Sequence, residues 1–174
     1  MALLHLQLDY ERFAGDAELP PDEFALLQKA REATGRAYAP YSQFRVGAAI
    51  RLVNGHIIVG ANQENASFPA GLCAERVALS AVTSQFPGVV IRAIAISYLP
   101  AQGNADHPIS PCGICRQTLV EYELVQQQPI RIILGGSTGE IIVVPAAQLL
   151  LPFSFTLHDL TGQHSSIDHP HQNG

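Results

Sequence analysis

Charge is scarce in this chain of 174 residues: Asp, Glu, Lys and Arg together make up 14 %, against roughly 25 % in an ordinary soluble domain. Hydrophobic residues make up 47 %, and mean hydropathy is +0.14. Such a balance excludes an intrinsically disordered chain, which needs low hydrophobicity and high net charge. It also leaves few charges to cover a monomer, so burial of apolar surface against another subunit is expected. Basic residues are the scarcer sign, 10 against 15 acidic ones, with a net charge of -5 and a pI near 5.7. Electrostatics therefore offers no general grip on nucleic acid or on an anionic membrane.

Cysteine is also sparse. Three are present, an odd and small number that argues against a secreted disulfide framework. No apolar run approaches the 18 or so residues that span a bilayer. The opening stretch MALLHLQLDYERF has neither a basic n-region nor an apolar h-region, so no signal peptide and a cytoplasmic location are expected. There is no internal repeat and no low-complexity tract. The length suits one domain with appendages.

What is there reads as alternating helices and strands. Residues 1–9 alternate, with Leu4, Leu6 and Leu8 on one side, as an edge strand or an arm would. Asp22 and Pro21 open a helix whose apolar face carries Phe24, Leu27, Ala30 and Ala33, and Pro40 stops it. RVGAAIRLV (45–53) is strand-like, and Asn54-Gly55 turns it back into 56–59. A loop over 60–72 leads into a helix over 74–86. IRAIAIS (91–97) is a nearly continuous apolar run, which suits a sheet covered on both faces. After a loop over 99–110 come a helix (112–125), a strand (130–134), a glycine-rich turn, a strand (141–144) and a short helical stretch at 145–151. The expected fold is a three-layer α/β/α sandwich around a mixed five-stranded sheet. Residues 21–160 are read as the catalytic domain, between an N-terminal extension (1–20) and a polar tail (161–174). Four of the seven histidines (His158, His164, His169, His171) fall at that end, where a solvated tail is expected.

All three cysteines stand at the mouths of helices. In PCGIC, Cys112 and Cys115 are three apart and share a face of a first helical turn, and Pro111 suits a helix start. Cys73 opens the earlier helix. Helix N-termini favour thiolates, and three thiolates with an open fourth position make a catalytic zinc arrangement. By itself CxxC is more often a redox or structural zinc motif than a catalytic one, and a histidine can close such a site, although none of the seven stands at ligand spacing beside a cysteine. Glu75 adds a carboxylate two residues beyond the first cysteine, giving the CxE…PCxxC pattern of the zinc deaminases. There a carboxylate moves the proton of a zinc-activated water. Arg116 directly follows Cys115 and Arg76 stands three residues after Cys73, and both are placed to hydrogen-bond the sulfurs.

Four segments, AYAPYSQFRVGAAI, GANQENASF, GLCAERVAL and SPCGICRQTL, together resemble the short-chain, homotetrameric cytidine deaminases from about Ala37 to Phe155. The resemblance implies the sandwich fold above and one Zn²⁺ per subunit held by Cys73, Cys112 and Cys115, with Glu75 as proton shuttle. It implies that Asn62 and Glu64 bind the sugar hydroxyls and that Phe44 lies against the pyrimidine. It also places Ala74 at the substrate, and has Phe68 and Phe155 complete a neighbouring subunit's site. Phe68 stands where many members carry Tyr, and Phe153 is an alternative to Phe155. The implied activity is hydrolysis of cytidine and 2′-deoxycytidine to the uridine forms in pyrimidine salvage. Alternatives are a deaminase for another aminopyrimidine nucleoside, such as a blasticidin-type antibiotic, a redox CxxC protein, or a non-catalytic zinc module.

Overall fold

Asn54-Gly55 closes a hairpin between β2 (Arg45–Leu52) and β3 (Ile57–Ala61), with Gly55 in the left-handed region at φ 87°. That hairpin is one edge of the sheet in a computed structural model that describes residues 3–162. Before it run β1 (Glu11–Phe13) and α1 (Pro21–Ala33), and after it α2 (Ala74–Gln85), β4 (Ile91–Leu99) and α3 (Gly113–Gln126). Then follow β5 (Arg131–Gly135), β6 (Ile141–Val144) and α4 (Leu157–Thr161). The sheet order is β1-β6-β5-β4-β2-β3, with β4 and β5 parallel and every other pair antiparallel.

The sheet has six strands where five were expected. The sixth, β1, pairs with β6. The alternation over 1–9 pointed to a strand slightly too early: residues 3–10 form no strand, and Leu4, Leu6 and Leu8 are exposed. The short β1 is pinned by charge as well as by Phe13, which packs half-buried against the core on the α1 face. The Arg131 guanidinium donates to both carboxylate oxygens of Glu11, at 2.8 and 2.9 Å, and to Glu23 on α1 at 2.6 Å.

Side-chain alternation across the strands sorts the core into two faces. Ala49, Ala93, Ala95, Ile133, Ile141 and Val143 face α1, which buries Leu26, Leu27 and Ala30 against them. Ala48, Ile50, Ile94, Ile96, Ile132 and Leu134 face α2 and α3, which contribute Ala78, Leu79, Val82, Leu119 and Val120. The expected three layers are present. Two glycines set how closely the helices approach. A Cβ on Gly47 would fall 2.1 Å from the Ala30 carbonyl oxygen of α1, and one on Gly60 would fall 2.5 Å from that of Ala74 in α2. On the second face this contact holds the first turn of α2 against β3.

Candidate metal centre and cleft

Cys73 and Cys112 are the N-caps of α2 and α3, both in extended backbone conformation, and Cys115 lies buried in the first turn of α3. Because Cys73 stands just outside its helix, it and Glu75 approach one point although residues two apart within a helix diverge. The Cys73 and Cys112 sulfurs are 3.7 Å apart, those of Cys112 and Cys115 3.5 Å, and all three lie within 4.8 Å of one another. Thiolates at about 2.3 Å from a tetrahedral Zn²⁺ stand roughly 3.8 Å apart. The donor set and spacing fit zinc. Among the described residues this is the one such cluster of metal-binding side chains.

The same convergence shapes the acidities. Hydrogen bonding to Cys115 brings the Cys73 thiol down to about 6, with help from Cys112 and the charge of Arg76. The Cys115 thiol is pushed far up, first by its bond with Cys73 and then by burial. Glu75 is 4 % exposed, and burial raises its carboxyl above the usual range while hydrogen bonding to Cys115 pulls back. A buried carboxyl beside three sulfurs and in a cleft is placed for proton transfer.

The cleft has a volume of about 610 Å³ and is lined by Phe44, Asn62, Glu64, Phe68, Cys73, Ala74, Glu75 and Cys112, among others. Three extended pieces are stitched together to make its rim. Tyr38 N–H donates to the Asn62 carbonyl and Glu64 N–H to that of Tyr38, while Gln63 and Leu72 exchange two backbone bonds. The Asn62 side chain accepts from Val46 N–H at 2.7 Å and donates to the Phe44 carbonyl at 2.9 Å. This leaves one of its N–H groups for the cleft. Glu64 accepts from the N–H groups of Tyr41 and Ser42 and from the Ser42 hydroxyl, and the hydroxyl bond holds its carboxyl below the usual range.

Not every expected residue joins the cleft. Arg116 donates to the carbonyls of Pro111 at 2.9 Å and Leu150 at 3.2 Å, bracing the loop before Cys112 rather than touching sulfur. Arg76 acts on Cys73 through its charge. Phe153 and Phe155 are 81 % and 59 % exposed and line no part of this chain's cleft. His158 lies on α4, and His164, His169 and His171 lie outside the described residues. Tyr41, Ser42, Ile109 and Ser110 line the cleft without having been singled out from sequence. Their adjacency to the motif residues Phe44 and Cys112 was the available signal.

An α/β sandwich with three thiolates gathered at two helix N-termini, beside a buried carboxyl, defines a zinc-dependent hydrolase of the nucleobase-deaminating class. Comparison with known proteins makes this specific: residues 21–128 match the family model described as the cytidine and deoxycytidylate deaminase zinc-binding region. The chain belongs to that family. It is 37 % identical over 139 residues to a cytidine deaminase of Halalkalibacterium halodurans, covering 80 % of this chain and 98 % of the relative. It is 34 % identical over 146 residues to one of Mycobacterium tuberculosis, covering 82 % and 96 %. The crystal structure of a cytidine deaminase from Burkholderia pseudomallei superposes with a TM-score of 0.65 at 36 % identity, covering 75 % of this chain and 97 % of that one. Among the described residues, no helix is long and apolar enough to cross a membrane.

Proposed function

We propose that this protein catalyses the zinc-dependent hydrolysis of cytidine and 2′-deoxycytidine to uridine and 2′-deoxyuridine, releasing ammonia. The observation that carries the reading is the meeting of three zinc-spaced sulfurs and buried Glu75 in one nucleoside-sized cleft. When bound by Cys73, Cys112 and Cys115, zinc supplies the Lewis acidity that makes water reactive near neutral pH. Glu75 takes the proton of the attacking water, passes it to N3 of the ring, and delivers a second proton to the departing amine. Water oxygen becomes the carbonyl at C4, and the C4–N bond breaks to give ammonia. Phe44 forms the wall against which the pyrimidine lies, Ala74 forms part of the floor, and Asn62 and Glu64 hold the sugar hydroxyls. Residues 21–160 contain every group assigned a role.

The lining also supports a nucleoside over a nucleotide. It contains two carboxylates, Glu64 and Glu75, and neither Lys nor Arg, whereas a phosphate needs a cation or a helix N-terminus of its own. Loss of cytidine absorbance on adding purified protein, abolished by a zinc chelator, tests the reaction. Equal turnover of dCMP and cytidine would overturn the substrate assignment. The exposure of Phe68 and Phe155 supports completion of each cleft by neighbouring copies in a homotetramer. A fully active monomer by light scattering would refute it. Three free thiols suit the reducing cytoplasm, and fractionation of cells checks that location.

A further inference from the structure

Behind the cleft lies an aromatic residue that no mechanistic role yet uses. The antiparallel register of β2 and β4 sets Tyr98 opposite Val46, so Phe44, two residues before Val46 on the same face, is its diagonal neighbour. Their rings stack with centroids 5.3 Å apart and planes 23° from parallel. Phe44 lines the cleft, while Tyr98, 3 % exposed, does not. Gln43, just before Phe44, holds φ 55°. A non-glycine residue persists there only when its surroundings impose the conformation.

The imposed position has a traceable support. Tyr98 Oη lies 3.2 Å from Nδ1 and 3.3 Å from Nε2 of His107, and Asp106 Oδ1 is 3.2 Å from that Nδ1. The carboxylate favours the tautomer with a proton on Nδ1, which leaves Nε2 to accept the phenol proton. The loop carrying both residues is itself seated on the β5–β6 turn. Thr138 N–H donates to the Ala105 carbonyl at 3.1 Å, and a Cβ on Gly139 would fall 2.0 Å from the carbonyl oxygen of Asp106. The β5–β6 turn, the 105–107 loop, Tyr98 and Phe44 thus form one continuous strut ending at the cleft wall.

We propose that His107, acting through the Tyr98 hydroxyl, is a positioning residue that fixes the tilt of Phe44 and so sets the affinity for the pyrimidine ring. The inference rests on the reading of Phe44 as the base-contacting wall. His107 is exposed, so its truncation removes a hydrogen bond without opening the core. His107→Ala and Tyr98→Phe are each expected to raise KM for cytidine by about 2- to 10-fold, the span of one hydrogen bond. In both, kcat, zinc content and melting temperature stay near wild type. KM for 2′-deoxycytidine should rise by the same factor, because the base is shared, and His107→Gln, which keeps a hydrogen-bonding group, should restore much of the loss. An unchanged KM in both variants, or a fall in kcat that tracks zinc content or melting temperature, overturns the inference. A wild-type protein inactive on cytidine would instead overturn the functional reading beneath it.

Discussion

The two faces of the sheet are built by one device and put to different uses. On each, a strand glycine lets a helix backbone press close: Gly47 receives α1 and Gly60 receives α2. On the α1 face the result is a closed layer of Leu, Ile, Val and Ala side chains. Ion pairs ring its edge, among them Arg131 with Glu23 and Arg31 with Asp16. On the other face the approach sets where a helix begins. The N-terminus of α2 meets that of α3, and three sulfurs and a carboxyl converge there. The comparison teaches that packing chemistry is common to both faces, whereas reactivity comes from which end of a helix the packing aims.

The contrast breaks most severely if the convergence is removed while the packing stays. Cys112 is exposed, so Cys112→Ala should fold normally, lose zinc in a metal assay and show no deamination above background. Normal zinc and turnover would show that the sulfurs are not the metal centre. Next in size is Glu75→Gln, which should keep zinc and the fold and lose about 10²- to 10⁴-fold in kcat. A rate within a few-fold of wild type would remove Glu75 from the proton path. The glycines then test the device directly. Gly47→Ala and Gly60→Ala should each cost about 1–3 kcal/mol by overpacking, read as lost stability in urea. Only Gly60→Ala should also lower kcat at temperatures where both variants are folded, because only there does the helix carry the site. Equal activity losses would mean that the two faces are not functionally distinct.

How far this contrast shows in the sequence follows from how local each feature is. Helix starts at Cys73 and Cys112 and the hairpin at Asn54-Gly55 depend on near neighbours, and all were readable, whereas the meeting of CxE with PCxxC across 39 residues was legible only as a known signature. Strand character at 45–53 and burial of 91–97 on both faces were readable too, since both rest on local composition. Pairings across long sequence distances were not readable. β1 has three residues and gains its place only by meeting Ile141–Val143 and Arg131, more than a hundred positions away. Tyr98 finds Phe44 through a register that no spacing reveals, and His107 comes from the aperiodic loop over 99–110. Arg116 looked placed to donate to a ligand sulfur because it follows Cys115, yet it donates to the carbonyls of Pro111 and Leu150.

The smallest expected effect lies on the quiet face, at the pin that holds β1. Glu11 is largely exposed, so its bidentate contact with Arg131 should contribute no more than about 1 kcal/mol. Its sign is fixed nonetheless. Hydrogen bonding to Arg131 lowers the Glu11 carboxyl below its ordinary value, so the folded state binds a proton less readily than the unfolded chain. The stabilisation is therefore complete above the ordinary carboxylate range and fades as pH falls through the lowered value. Glu11→Gln should then unfold in less urea than wild type at pH 7, and the gap should shrink as pH falls toward and below the ordinary carboxylate range. Its deaminase rate at pH 7 should match wild type, since neither Glu11 nor Arg131 lines the cleft. A gap that persists unchanged into acid would mean that side-chain packing rather than charge seats β1. A loss of activity without loss of fold would tie the N-terminal strand to the cleft and erase the distinction between the two faces.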